Sequence, residues 1–156
     1  MKFNKLGLIG SLCVAGFLGN TSALAADTAN VAVSATVTGT CKFNSGGAIA
    51  FTLDPNSATA AAGTVTSPIF WCTKGASYTV TGNDGANSVT AGARRMKHAT
   101  LTEYIPYSFS YTATGTGTGK TTPITLTLSS ATVANTDFVN ASAGSYADTV
   151  VLSITP

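Results

Sequence analysis

The sequence predicts an all-β domain folded as a β-sandwich of about seven strands. Three observations carry that prediction. Only 9% of the residues are charged, against roughly 25% in an average soluble protein, and Thr, Ser, Ala and Gly fill the difference. Apolar residues recur at every second position in short runs, and Gly, Pro, Asn and Asp separate those runs. No stretch sustains a helical period.

The first segment reads as a targeting signal. Lys2 and Lys5 precede an apolar run from Leu6 to Leu18, and Ala23-Leu24-Ala25 supplies a small-residue cleavage signature. Residues 1–25 are therefore expected to be a signal peptide removed on export. The run is shorter than the roughly 20 residues that span a bilayer. Cys13 follows Leu12, where a lipoprotein signal would place a small residue, so no lipid anchor is expected. Loss of Lys2 and Lys5 leaves six basic residues against six acidic ones. A neutral chain lacks the electrostatic footprint of a nucleic-acid binder, and no membrane insertion is expected after cleavage.

About 130 residues remain, enough for one domain with a real core. Residues 26–41 open it with strict alternation, Ala29, Val31, Val33, Ala35 and Val37 sharing one parity. "AIAFTL" puts Ile49, Phe51 and Leu53 on one face and ends at Asp54-Pro55-Asn56. "NSATAAAGTVTS" is small and polar and reads as a loop or a weak edge. "PIFWC" and "ASYTVTG" read as strands around Thr73–Gly75, and "NDGAN" carries Asp-Gly turn chemistry. "TEYIPYSFSYT" sets Ile105, Tyr107, Phe109 and Tyr111 on one face, with Pro106 near its start or at an edge. "GTGTGK" reads as a flexible turn. "PITLTLSS" turns Ile124, Leu126 and Leu128 inward, and "YADTVVLSITP" closes the chain with Tyr146, Val150, Leu152 and Ile154 in phase.

Two cysteines outlast the signal, Cys41 and Cys72, and in an exported chain an even pair is expected to form a disulfide. Two cysteines and the lone His98 are too few ligands for a metal site. His98 has no Ser or Cys partner pattern, and the carboxylates show no paired motif, so no catalytic residue, metal or cofactor is expected. "ARRMKH" gathers Arg94, Arg95, Lys97 and His98. It reads as a solvated loop with Met96 packed inward, the competing reading being a patch for acidic polysaccharide or nucleic acid. Phe70, Trp71, Tyr104 and Tyr107 could form a sugar platform, although aromatics in strands more often serve packing.

Several of these segments together resemble a known family. "TGTC" after the alternating segment, the second cysteine in "FWC", the "RRM" segment and the closing "GSYADTVVLSITP" resemble the spore coat protein U domain, which includes pilin subunits of the archaic chaperone-usher pathway. Gly144, Tyr146 and Asp148, followed by Val150, Leu152 and Ile154, form the most specific part. "TATGTGTGK" departs from the family by lacking a charged segment after the long strand.

The resemblance implies an immunoglobulin-like sandwich that lacks its final strand and is completed by a donor strand. Tyr146, Val150, Leu152 and Ile154 would then belong to the C-terminal strand beside an acceptor groove. Residues 26–34 would form a donor extension, with Ala29, Val31 and Val33 entering a neighbour, and 35–156 would form the domain, its own first strand running from about Ala35 to Phe43. The implied partners are like subunits in a head-to-tail polymer, with a periplasmic chaperone and an outer-membrane usher during assembly. The implied location is the periplasm in transit and then the cell surface, as part of a pilus supporting adhesion or biofilm formation. A secreted coat or matrix protein and a carbohydrate-binding tip adhesin are the alternatives.

Overall fold

The structure, a computed structural model, describes residues 26–156. The expected signal peptide lies outside them. Residues 26–35 fall in a separate unit from Thr36–Pro156. They carry no strand or helix, and each is exposed.

The unit Thr36–Pro156 is nearly all β, consistent with an immunoglobulin-like sandwich of antiparallel sheets. Its strands are β1 (Cys41–Ser45), β2 (Ala48–Ala50), β3 (Ala61–Ala62), β4 (Thr64–Thr66), β5 (Ile69–Cys72), β6 (Ser77–Gly82) and β7 (Arg95–His98). After them come β8 (Tyr104–Pro106), β9 (Ser108–Tyr111), β10 (Thr114–Thr116), β11 (Ile124–Thr125) and β12 (Leu128–Val133). A single helical turn, α1 (Asn135–Phe138), precedes β13 (Tyr146–Ala147) and β14 (Leu152–Thr155). The sheets are ordered β1-β5-β11, β10-β6-β14, β3-β12-β9, β13-β7-β8 and β2-β4.

Fourteen short strands stand where about seven were expected. The reason is that the long runs change partners. β8 pairs with β7, but β9, one residue later, pairs with β12. β11 pairs with β5 and β12 with β9 and β3, while β13 pairs with β7 and β14 with β6. Strands that pass from one sheet to another turn the corners of a sandwich. Pro106, with no N–H to donate, sits in β8 at the edge of its sheet.

Three local expectations need correction. The domain's first strand begins at Cys41 rather than Ala35. Its partner β5 ends at Cys72, after which Ala76 N–H bonds back to Thr73 O at 3.0 Å, so no strand lies opposite residues 35–40. "GTGTGK" is no mere turn, because β10 pairs with β6 there. Gly115 lies against the Tyr78 ring, where a Cβ would come 2.4 Å from the hydroxyl oxygen, so the glycine serves close approach. "NSATAAAGTVTS", read as a loop or a weak edge, takes the second form, supplying the short edge strands β3 and β4, with small residues that admit Ile49 and Phe51 close to Gly63. "ARRMKH" is strand β7 rather than a loop.

The core has two parts. In the first, Phe70, Cys72, Tyr78, Val80 and Leu126 are buried, with Phe70 edge-on to Tyr78 at 4.9 Å. Burying a side chain of that size contributes about 1.5 to 3 kcal/mol. In the second, Ile105, Val133 and Phe138 are buried beneath Phe51, Leu53 and Met96. Phe138 reaches it from α1, which alternation could not foretell. Cys41 and Cys72 face each other across β1 and β5 and are joined as a disulfide.

Candidate interaction groove

The residues from β13 through β14 form one extended ribbon with alternating burial: Tyr146, Asp148, Val150, Leu152 and Ile154 are half-buried, and the residues between them are exposed. Its backbone pairs on one side. Ala99 donates to Ser145 O at 2.9 Å, Ala86 to Thr149 O at 3.0 Å and Asn83 to Val151 O at 3.1 Å. Alternate residues of a strand aim their N–H and C=O at opposite edges. Asp148, Val150 and Leu152 therefore aim theirs at the other edge, and neither β13 nor β14 has a second partner among the described residues. Across the opening, β1 pairs only with β5 and β2 only with β4. Each of those pairings also leaves β1 and β2 with a free edge.

Between Ile49 and Phe51 on one side and Tyr146, Val150 and Leu152 on the other lies a cavity of about 450 Å³, also lined by Met96, Tyr107, Phe109 and Leu128. A neighbouring cavity of about 700 Å³ shares Ile49, Phe51, Met96 and Tyr146 and reaches Leu53, Ile105 and Phe138. Together they make an apolar groove between the two halves of the core. Leu128 and Leu152 belong to the half around Phe70, and Phe51, Met96, Tyr107 and Tyr146 to the half around Phe138.

Most polar groups at the groove are satisfied by the domain itself, the exception being Arg94 Nε, which is buried without a hydrogen-bond partner. Tyr107 donates its hydroxyl to Asp148 Oδ2 at 2.8 Å, while Asp148 Oδ1 accepts from Asn87 N–H at 3.1 Å and from Asn87 Nδ2 at 3.0 Å. Burial first, and then the Asp148 carboxylate, pushes the Tyr107 hydroxyl well above its ordinary pKa. The Arg94 guanidinium lies 4.5 Å from the centre of the Phe109 ring and donates to Phe109 O at 3.2 Å. These contacts fix the aromatic floor, with the Arg94 cation held against the Phe109 ring.

At the far end, Glu103 accepts from the Ser142 hydroxyl at 2.7 Å, from the Ser142 N–H at 3.1 Å and from the Tyr146 hydroxyl at 2.9 Å. Those three donors, in that order, hold its carboxyl below the usual range. Burial, and next the bond to Glu103, raises the Tyr146 hydroxyl. Because the unfolded Glu103 binds protons more readily than the folded one, this stabilisation is present above about pH 4.5 and is lost as pH falls through the lower folded-state value. Glu103→Gln is accordingly expected to lower the unfolding temperature at pH 7, with the gap to wild type closing in acid. Melting curves between pH 3 and 7 check this, and a gap as wide at pH 3 as at pH 7 would contradict it.

The structure places the expected site residues as follows. Tyr146, Val150 and Leu152 line the groove. Ile154 pairs with Val80 and packs into the half of the core around Phe70. Val31 and Val33 are 84% and 89% exposed, and Ala29 is exposed too. The opposite wall and floor, Ile49, Phe51, Met96, Phe109 and Leu128, were not singled out from sequence. Their alternation marked a buried face but not what that face would meet.

The proposed sugar platform does not assemble. Phe70 is core, Tyr107 lies in the groove, Tyr104 lies under Arg95 at 3.8 Å, and Trp71 points the other way from Phe70. The "ARRMKH" cations are largely engaged as well, with Arg95 Nε donating to Asn87 O at 2.6 Å. His98 is buried, and its Nδ1 accepts two backbone N–H groups, from Thr100 and Leu101, each at 3.1 Å. Its proton therefore sits on Nε2, facing Ala143 O at 3.3 Å. Among the described residues no group of His, Cys, Asp and Glu is placed to hold a metal, and no helix is long and apolar enough to cross a membrane.

No curated protein matches the sequence. The family model of the Spore Coat Protein U domain matches residues 27–153, most of the chain. The chain belongs to the Spore Coat Protein U domain family, the family of archaic chaperone-usher pilins, whose members are structural subunits exported to the cell surface rather than enzymes.

Proposed function

We propose that the chain is a polymerising pilus subunit assembled by donor-strand exchange, in which residues 26–34 of one copy lie in the groove of the next. The observation that carries this reading is an apolar groove bordered by strand edges with no partner. Such edges pair with any extended segment that reaches them, and strand addition is a recurring mode of recognition. Residues 26–34 suit the role because they are strand-free, exposed and alternating. Ala29, Val31 and Val33 are small enough to enter between Tyr107 and Val150.

Burying Val31 and Val33 would contribute about 1.5 to 3 kcal/mol each, and each new backbone hydrogen bond roughly 0.5 to 1.5 kcal/mol. A contact between unlike surfaces need not close on itself, so it builds a filament. Before assembly, a periplasmic chaperone fills the groove and an outer-membrane usher directs the exchange. The resulting pilus serves adhesion or biofilm formation.

Protein lacking residues 26–33 is expected to give no ladder of oligomers on mild-detergent gels, where the intact protein gives one that collapses on strong heating. Equal laddering by the two forms would remove the donor role.

A further inference from the structure

The sheet β1-β5-β11 has a second face, which the groove does not use. Phe70 and Cys72 are buried, so Trp71 between them turns outward and stays half-exposed. Lys42 is its cross-strand partner, and directly opposed residues share a face. The Lys120 ammonium lies 5.9 Å from the centre of the Trp71 ring. Lys74 follows in the turn after β5, its Cβ 3.7 Å from where a side chain on Gly119 would begin, beside Lys120. All three lysines are exposed. Two of the four lysines after the expected signal, Lys42 and Lys120, therefore flank the chain's one tryptophan, and Lys74 lies against the turn that carries Lys120. No acidic residue lies on these strands or in the turns at 73–76 and 117–123.

We propose that this face binds an acidic polysaccharide, with a sugar ring stacked on Trp71 and its carboxylates met by Lys42, Lys74 and Lys120. The charge pattern argues for this occupant. A flat indole offers an apolar platform with an electron-rich face suited to the C–H side of a sugar ring. Lysines are compact point charges on flexible stems, suited to carboxylates of variable spacing, whereas rigid phosphate recognition favours the arginine fork. A near-neutral chain with three clustered lysines also falls short of the long basic stripe that duplex nucleic acid requires. The site stands whether or not the groove accepts a donor strand. In a polymer it would recur on every subunit, so weak single contacts would add up to strong attachment.

The test is titration of the intact secreted protein with polygalacturonate, a neutral glucan and duplex DNA, read by the fluorescence of Trp71 and by calorimetry at low and high salt. Polygalacturonate is expected to shift the emission and to bind more weakly as salt rises. The combined change Lys42→Gln, Lys74→Gln and Lys120→Gln is expected to weaken binding at least tenfold, and Trp71→Ala by about tenfold in calorimetry. Lys97→Gln, which removes a charge from strand β7, should change it less than twofold. No binding at low salt, equal binding of the neutral glucan, tighter binding of DNA, or an equal loss per charge in Lys97→Gln would each overturn the proposal.

Discussion

A subunit carrying Val150→Glu, mixed with a subunit lacking residues 26–33, is expected to form dimers and nothing longer. The first partner keeps its donor segment but has a charge in its groove. The second keeps an open groove but has no donor. One contact can therefore form between them, and neither product has a free donor together with a free groove. Each variant alone should stay unassembled. Val150 suits the test because it is half-buried on the ribbon's free edge and belongs to neither core half. A buried carboxylate with no partner costs several kcal/mol, enough to suppress insertion by roughly a thousandfold. Size-exclusion chromatography with light scattering reads the result. Long polymers from the mixture, or a ladder from Val150→Glu alone, would show that the contact is not head-to-tail through this groove.

The second large effect concerns the disulfide. Replacing Cys41 and Cys72 with serine is expected to cost about 3 to 4 kcal/mol, because the bridge closes a loop with a sequence separation of 31. Stability of a whole domain is only about 5 to 15 kcal/mol, so the unfolding temperature should fall by roughly 10 to 20 °C. The closed loop contains β2, β3 and β4, and with them Ile49 and Phe51, one wall of the groove. Loss of the bridge should therefore loosen the groove as well as the fold. Thermal unfolding with and without reductant measures this, and identical curves would refute it.

Much of the fold was legible because alternation is a local property. "PIFWC", "ASYTVTG" and "YIPYSFSYT" announced β5, β6, β8 and β9 and the faces they bury. What alternation cannot carry is the identity of the neighbour. Tyr107, Leu126 and the residues 148–151 mark places where a run changes sheets, and nothing local to those residues says so. Composition also misled where it met packing. The glycines of "TGTGTG" look like slack, yet Gly115 is glycine because Tyr78 leaves no room for more. The groove was the least legible feature, since its walls come from residues about 100 positions apart.

The division of the core into two halves bears on how a fibre of such subunits would carry load. Without a donor strand the two clusters are open to each other at the groove and are joined through β12, which carries Leu128 of one and Val133 of the other. A strand seated between Phe51 and Leu152 would touch both and couple them into one cooperative unit. Tension along the fibre would then run parallel to that strand. Its hydrogen bonds would have to shear together instead of peeling one at a time, which converts a row of weak bonds into a joint of high mechanical strength.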